Sequence, residues 1–468
     1  MDNEKFEALL KSEIEQATNY YDNELQKHRT DVMNYYLSEP FGNELENRSK
    51  VVLSEVRDTI EYIMPSLMKI FCATDKVVRF VGRNAEDVKS ADQATELVNF
   101  ALNSQNNGFT ILHNFFKDAM LFKIGAIKTY WEESEETCEE TYEQLSEMEL
   151  TTLLDDPAIE LLSQEIVEEG VTDEMGNEIP TEQYFNVQVR RKKKNGKVKI
   201  ENIPPEELLF SRRAKSMEDC TFIAHRTQVR AGDLIERGYD SELVMSLAGD
   251  QALDDEAERQ ARFQDIESSP YDNSLDPSNR EVMVTEAYIK ADYDGDNIAE
   301  LRRVVALGDS HEIVENEMFE KIPFAIASPI LMPHRMVGVS VAEMVMDLQL
   351  IKSQIYRQLL DNLYLTNNSR VAVVEGQVNL DDLLTSRPAG IVRMRQQGMV
   401  QPLAVPQLGS QAFNMLEYAD QIRDQRTGFS KASMGLDPKQ LQSTSTNAVN
   451  ATIQGSQLKI EMIARVFA

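Results

Sequence analysis

The chain of 468 residues has little of what metal binding and disulfide frameworks require. It contains three cysteines and five histidines. Cys72, Cys138 and Cys220 lie far apart and form no paired motif, which argues against a disulfide framework or a zinc site. We expect reduced cysteines that serve as packing residues. Because the histidines also lack metal-ligand spacing, neither a metal nor another cofactor is predicted.

Catalytic motifs are missing as well. No G-x-x-x-x-G-K-[ST] run is present, so the chain has no phosphate-binding loop of that type. Gly338-Val339-Ser340-Val341-Ala342 resembles a G-x-S-x-G nucleophile elbow, but its last position is alanine and no histidine follows Ser340. The run Asp292–Asp296 begins like a calcium loop, yet Arg303 stands where a bidentate glutamate is needed. We therefore predict a plain turn there and no enzyme, with an α/β-hydrolase-like esterase as an alternative.

Long apolar runs and positive charge are scarce too. No uninterrupted apolar segment reaches the length of a transmembrane helix, and the acidic start MDNEKFEALLKSEIEQ excludes a secretory signal. Lysine and arginine number 48 against 79 acidic residues, giving a net charge of −31. DNA-binding proteins usually have a basic footprint. The acidic balance fits either a solvated surface or a wall along which DNA slides without tight phosphate contacts.

The strongest structural signal follows Pro333. Ser340 and Glu343 have the spacing of a capping box at a helix N-terminus. Apolar residues then recur at steps of three and four on a helix of about 28 residues that ends near Asn367 and Asn368. This stripe comprises Val341, Met344, Leu348, Ile351, Ile355, Leu359 and Leu363. The predicted polar cover comprises Asp347, Gln349, Lys352, Gln354, Arg357, Gln358 and Asp361. So narrow a stripe favours packing against neighbouring helices.

Earlier segments predict further helices at 3–27, 49–71, 90–103 and 109–123, and a strand at 125–131. The acid-rich residues 132–183 are predicted to form exposed helices, which serve either as a solvated face or as a partner surface. Asn195-Gly196 within 184–203 predicts a type I′ hairpin. Its basic tip, residues 190–199, is either a nucleic-acid patch or a charged edge that discourages strand pairing.

The remaining segments complete an α+β, mainly helical fold. Strands are predicted at 220–229, 281–291 and 298–307, a helix at 231–237, and a surface excursion over 247–280. Short strands are expected across 369–409. Ser410 can cap a second helix with Phe413, Leu416, Ala419 and Ile422 on one face. A loop-like stretch at 428–446 precedes a third helix, and because the chain stops inside that pattern we expect the natural chain to continue.

Three stretches are similar to portal proteins of short-tailed (podovirus-type) double-stranded-DNA bacteriophages. They are PHRMVGVSVAEMVMDLQLIKSQIYRQLLDNLYLTNNSR, VNLDDLLTSRPAGIVRM and RDQRTGFSKASMGLDP, with weaker echoes earlier in the chain. The resemblance implies a ring, a dodecamer, at one capsid vertex of the virion, assembled in the host cytoplasm. DNA would pass through it in packaging and ejection. Implied partners are the terminase large subunit, capsid and scaffolding proteins, and then tail or neck proteins, without a membrane.

The resemblance also implies a domain plan. Residues 1–339 would form the wing, including the acidic insertion 132–183, and 340–368 the first stem helix. Residues 369–409 would form the clip, 410–429 the second stem helix and 430–446 the tunnel loop. Residues 447–468 would begin the C-terminal wing helix, with the family's crown or barrel absent. A neck or tail adaptor ring, which lacks a stem–clip–stem insertion, is the structural alternative.

On that plan the stem residues Leu348, Ile351, Ile355 and Leu359 would pack between subunits. Lys431 and Lys439 of the tunnel loop would contact the DNA backbone or, alternatively, neighbouring subunits. The clip concentrates positive charge at Arg370, Arg387, Arg393 and Arg395. Arg393 and Arg395 would contact an acidic motor surface or passing phosphates, unless they are ordinary surface arginines.

Overall fold

The computed structural model describes residues 3–74, 76–168, 183–248, 257–263, 276–385, 390–404, 406, 410–428 and 458–468. The chain divides into two compact units. The core unit comprises Met1–Thr74, Phe109–Lys128 and Asn202–Ala468, and the inserted unit comprises Asp75–Gly108 and Thr129–Glu201. Within the described ranges, no helix combines the length and the apolar composition that crossing a bilayer requires.

Most of the segments predicted to be helical are helices in the structure. The α-helices are α1 (Asn3–Tyr20), α2 (Lys27–Leu37), α3 (Glu55–Cys72), α4 (Val88–Phe100), α5 (Gly108–Phe122), α6 (Glu147–Leu154), α7 (Ala231–Glu236), α8 (Ser241–Leu247), α9 (Ala257–Phe263), α10 (Glu343–Asn367), α11 (Leu380–Leu384) and α12 (Ser410–Thr427). Residues 458–467 are also helical. A π-helical turn at Tyr21–Gln26 joins α1 to α2, and another at Ala101–Gln105 extends α4. The helices predicted at 3–27, 90–103 and 109–123 are confirmed, and the one predicted at 49–71 begins later, at Glu55.

The strands form three sheets. They are β1 (Gly125–Leu145), β2 (Ile159–Glu168), β3 (Gln183–Ile203), β4 (Leu208–Phe210), β5 (Phe222–Arg230), β6 (Glu281–Ala291), β7 (Glu300–Leu307), β8 (Glu312–Met318), β9 (Phe324–Ala327), β10 (Val371–Val373) and β11 (Val400–Pro402). In the core unit, β4 to β8 form one antiparallel sheet in chain order. The first residues of β1 pair with β9, and β10 pairs with β11. In the inserted unit the order of neighbours is β2, β3, β1.

The two largest apolar clusters among the described residues of the core unit involve α1 and α3. The stripe of α1, including Phe6, Leu10 and Ile14, packs with the inner residues of the five-stranded sheet. Because the apolar residues of α1 recur at helical spacing, this helix presents one apolar face to the sheet. The second cluster joins α3, α5, the start of α10 and the helix at 458–467, where the Phe467 ring lies 4.9 Å from the Phe116 ring. This second cluster fixes the start of α10 in the core unit.

The helices predicted across the acidic residues 132–183 are wrong for most of the described part. Residues 132–145 belong to strand β1, and only α6 is helical there. A carboxylate oxygen of Glu132 lies 3.1 Å from Lys197 Nζ, and one of Glu139 lies 3.3 Å from Arg190 Nη2. Acidic side chains of β1 thus face basic side chains of β3, and such cross-strand pairs favour the strand conformation. Residues 132–145 of the acidic run thus form one half of a charge-paired ribbon.

The hairpin predicted at Asn195-Gly196 is also wrong. Strand β3 continues through both residues from Gln183 to Ile203. A Cβ atom on Gly196 would lie 2.1 Å from Cζ2 of Trp131. Glycine is therefore required here for the close approach of the tryptophan ring rather than for a turn. Lys197 and Lys199 both contact Glu132, so part of the basic segment is neutralised within the inserted unit.

The surface excursion predicted over 247–280 contains a helix, α9, that buries Glu258. Glu258 is fully buried, and its Oε2 accepts a hydrogen bond of 2.8 Å from Tyr21 Oη. Arg262 donates a hydrogen bond of 2.8 Å to Glu206 Oε2. Burial raises the pKa of Glu258 to about 7. Polar composition does not reveal this burial, because these charged groups have their partners in the interior of the core unit.

Candidate subunit interface and channel wall

Helix α10 begins at a tightly packed turn. Ser340 is fully buried, and its Oγ accepts a hydrogen bond of 3.1 Å from the Glu343 N–H, which is one of the two bonds of the predicted capping box. The helix itself begins at Glu343, with Ala342 at the N-cap position. The Glu343 carboxylate itself lies 3.3 Å from Lys123 Nζ. A Cβ on Gly338 would lie 2.1 Å from the carbonyl oxygen of Ile330, so this position requires glycine. Structural roles thus account for the residues that resembled a nucleophile elbow.

The inward face of α10 is polar. Gln349, Lys352 and Arg357 are buried, although the sequence pattern predicts them as outer cover. Ser353 is buried on the same face. Buried polar groups are costly unless they are hydrogen-bonded, so each of these side chains requires a partner in the core unit.

Except for Lys352, which pairs with carboxylates, these side chains bond backbone groups of residues 49–56, here called the α10 strap. Gln349 Oε1 accepts from the Val56 N–H at 2.9 Å, and Ser353 Oγ accepts from the Leu53 N–H at 3.0 Å. Further along, Arg357 Nε donates to the Val51 carbonyl at 2.7 Å, and Asp361 Oδ1 accepts from the Ser49 N–H at 2.8 Å. Four helical residues rise about 6 Å, close to the span of two extended residues. Side chains four residues apart therefore keep register with the strap.

Arg357 has the densest contacts of this ladder. Its guanidinium also donates to Asn43 Oδ1 at 2.9 Å and to Glu44 Oε1 at 2.6 Å, and it lies 5.5 Å from the centre of the Phe41 ring. The side chains of Arg357 and Glu44 are both 8% exposed. A buried, charge-assisted pair of this kind fixes geometry strongly. Arg357 therefore anchors the chain before α3 on α10.

The apolar stripe of α10 divides at Leu348. Leu348 packs inside the protomer, whereas Ile351 is 45% exposed and Leu363 is 57% exposed. Ile355 and Leu359 are half-buried. In the single chain, the later part of the stripe lies in water while the polar face is covered. An exposed apolar stripe of this extent marks a surface that a partner covers.

Ion pairs join α10 to α12 and α3. Lys352 Nζ pairs with Glu55 and, at 2.6 Å, with Asp420 Oδ1. Arg423 donates a hydrogen bond of 2.7 Å to Glu55 Oε2. On the face predicted for α12, Ala419 is buried but Phe413 is 60% exposed. Charged contacts thus hold these helices together and leave apolar side chains of both exposed.

Of the predicted basic residues in the segment between α10 and α12, Arg393 has an acidic partner nearby. Its guanidinium donates two hydrogen bonds, of 2.6 and 2.9 Å, to Asp382, and they hold the pKa of Asp382 below its usual range. The side chains of Arg370 and Arg395 are exposed. Arg387 lies outside the described residues. The charge available from Arg393 is therefore reduced by a residue of its own segment.

The predicted DNA-contacting residues Lys431 and Lys439 lie outside the described residues, as does the loop 430–446. The third predicted helix is confirmed in its described part, where Ile460 and Ala464 are buried in the helical cluster. The carboxylates of Asp292, Asp294 and Asp296 accept hydrogen bonds from N–H groups of their own turn. Their carboxylate oxygens also lie within 4.8 Å of one another, which is close enough to hold a cation, so the plain turn stays a prediction.

A helix with a covered polar face and an exposed apolar stripe, carried on an α+β core, defines a structural component that assembles with partners. A sequence profile of the phage SU10 portal protein matches residues 6–468. The chain belongs to this family and is a phage portal protein, a structural protein of bacteriophage DNA packaging. Membership implies a capsid-vertex component of the virion that assembles as a ring and passes DNA. No curated protein matches the chain.

Proposed function

We propose that twelve copies form a closed ring at one capsid vertex, through which double-stranded DNA is packaged and later ejected. The terminase large subunit docks on this ring during packaging, and tail or neck proteins replace it afterwards. Capsid and scaffolding proteins contact its outer side during assembly in the host cytoplasm. Family membership supports this proposal, and the residues of α10 give it a physical basis.

The observation that carries the proposal is the exposed stripe of α10. Ile351, Leu363 and the neighbouring Tyr364 are exposed in the single chain. Burying apolar surface stabilises an assembly by about 25 cal/mol per Å². A head-to-tail interface repeated around a closed ring covers the stripe in every copy. Because Leu348 already packs inside the protomer, the interface begins at Ile351.

The domain plan follows from this arrangement. We assign 1–339 to the wing, 340–368 and 410–429 to the stem, 369–409 to the clip, 430–446 to the tunnel loop and 447–468 to the C-terminal wing helix. Ion pairs such as Arg426–Asp347, at 2.7 Å, support the pairing of the two stem helices. The small β10–β11 sheet supports a compact clip between them.

The charged residues take roles along the channel. Arg370 and Arg395 dock an acidic motor surface, with Arg387 assigned to the same role from its place in the clip. Arg393, already paired with Asp382, contributes less. Lys431 and Lys439 form basic collars that touch the DNA backbone without reading bases, since lysine is a flexible point charge. Their contribution should weaken at high salt.

The test is the substitution Ile351→Asp. We expect the protomer to fold normally, because Ile351 is largely outside the core, and the ring to be lost, because each interface would bury an unpaired carboxylate. Gln354→Asp, an exposed position on the same helix, is the matched control and should keep the ring. Native mass spectrometry and circular dichroism give both readouts. Full rings with Ile351→Asp, or a parent chain that stays monomeric, would contradict the proposal.

A further inference from the structure

Residues 76–100 of the inserted unit, here called the inside-out element, have their polar residues inside. Among the described side chains of this element, only Thr95 and Asn99 are buried. Its large apolar side chains are exposed; they are Val78, Phe80, Val81, Val88, Leu97, Val98 and Phe100. A soluble helix normally turns its apolar stripe inward. The reversed arrangement calls for a partner on the outside.

The two buried residues hold a short strap, residues 76–83, against α4. Asn99 Oδ1 accepts from the Val77 and Val78 N–H groups at 2.8 and 3.1 Å, and Asn99 Nδ2 donates to the Val78 carbonyl at 2.7 Å. Thr95 Oγ1 accepts from the Phe80 N–H at 3.0 Å. These hydrogen bonds satisfy backbone groups of the strap and hold it on α4 through polar contacts. The apolar side chains are thereby presented outward.

Opposite charges lie on different parts of this element. The strap, KVVRFVGR, contains Lys76, Arg79 and Arg83 and no acidic residue. On α4, Asp92, Glu96 and Phe100 are spaced by four and form one exposed line. Over the whole element, four basic residues (Lys76, Arg79, Arg83 and Lys89) balance four acidic ones (Glu86, Asp87, Asp92 and Glu96). A chain of net charge −31 therefore has a neutral, apolar surface here.

We propose that the inside-out element is a contact between copies of this chain, in which the strap of one copy packs on the α4 line of the next. Copies with a charge of −31 repel one another wherever acidic surfaces meet. A neutral surface removes that repulsion, and its separated charges give a head-to-tail match, as a ring requires. This inference rests on the proposed ring. It adds a second interface, in the inserted unit, to that of α10.

Charge reversal tests the match. Arg79→Glu with Arg83→Glu places acid against acid, and Asp92→Lys with Glu96→Lys places base against base. We expect each double variant to raise the protein concentration at which rings form by at least about tenfold at low salt. The four substitutions together exchange the charges of the two surfaces, so the surfaces attract each other again. The protein concentration at which rings form should then return close to the parent value. Lys192→Glu with Lys193→Glu, at exposed positions of β3, is the control and should have little effect.

A proximity experiment complements the reversal. Chains with Arg79→Cys are mixed with chains carrying Glu96→Cys, both lacking the exposed Cys138, and treated with a short bifunctional maleimide. Cross-linked dimers that need both chains are expected only in the mixture. If the parent forms no ring, the proposed function fails. If rings form but neither double reversal changes them and no mixed dimer appears, this inference is overturned while the proposed function stands.

Discussion

The α10 helix and the α4 helix use the same device in different surroundings. In both, polar side chains four residues apart bond the backbone of a short strap, and several apolar side chains are exposed. At α10 the ladder includes the charged Arg357 and rests on a large apolar cluster at the start of the helix. At α4 it consists of the neutral Thr95 and Asn99, without buried apolar residues among the described side chains of 76–100. At α4, hydrogen bonds to the backbone of the strap therefore take the place of apolar packing inside the protomer.

This difference has an energetic consequence. The α10 ladder is stabilised by buried charge and by the neighbouring cluster, whereas the α4 ladder depends on a few neutral hydrogen bonds. Each neutral bond contributes only about 1 kcal/mol, although leaving a buried group unpaired costs more. We therefore expect the strap of α4 to open more readily than that of α10 in the isolated protomer.

The largest expected effect comes from breaking the α10 ladder at its anchor. Arg357→Leu would remove the charged partner of the Glu44 carboxylate and the side-chain donor to the Val51 carbonyl, at a cost of about 3–5 kcal/mol. Hydrogen exchange of residues 49–56, measured in the monomeric Ile351→Asp background, should report this loss of protection. Gln358→Leu, at the adjacent exposed position, is the control. Equal exchange in both variants would mean that the ladder does not hold the strap.

Asn99→Leu should have a smaller and more local effect. It removes the partners of two N–H groups and one carbonyl of Val77 and Val78, at a cost of about 1–3 kcal/mol. Exchange should rise in residues 76–83 and stay unchanged in 49–56. Gln93→Leu, exposed on the same helix, serves as the matched variant. A rise in both straps would show that the two ladders are coupled and would remove the distinction drawn between them.

Lowering the pH should have the smallest effect, and it should affect hydrogen exchange in the strap of α10 but not in that of α4. Burial by itself would raise the pKa of Glu44, but hydrogen bonds from the Phe41 N–H and from Arg357 lower it below the usual range. A carboxyl group with a lowered folded pKa contributes stability above its unfolded pKa, and that stability is lost as the pH falls through the folded pKa. Acidification below the usual glutamate range should therefore loosen residues 49–56. Residues 76–83, held by Thr95 and Asn99, should not respond to this acidification. The measurement is amide hydrogen exchange of both straps, corrected at each pH for the intrinsic exchange rate.

The sequence predicts where α10 lies but not which way it faces. Hydrophobic spacing identifies the stripe from Val341 to Leu363, yet it does not distinguish packing inside a protomer from packing between copies. The four-residue repeat of Gln349, Ser353, Arg357 and Asp361 was the available signal for the inward face. Its partner is the backbone of a segment about 300 residues earlier, as in the bond between Ser353 and Leu53, and residue patterns do not reveal such a partner.

Long-range pairing also explains the errors in the inserted unit. A local turn signal at Asn195-Gly196 is overridden because β3 lies beside β1, whose acidic side chains pair with the basic ones of β3. Those residues are some 60 positions apart, so neither run is informative alone. The N-terminal helix and the strands β6 and β7 agree with the sequence prediction because their patterns are local and strongly periodic.

The most direct measurement is a cryo-electron microscopy structure of the assembled ring in which side chains are visible. We expect Ile351 and Leu363 of each copy to lie within about 4.5 Å of apolar side chains of a neighbouring copy. Gln349 and Ser353 should remain bonded to residues 49–56 of their own chain. A ring in which Ile351 and Leu363 face water, with the copies joined elsewhere, would contradict the proposed interface.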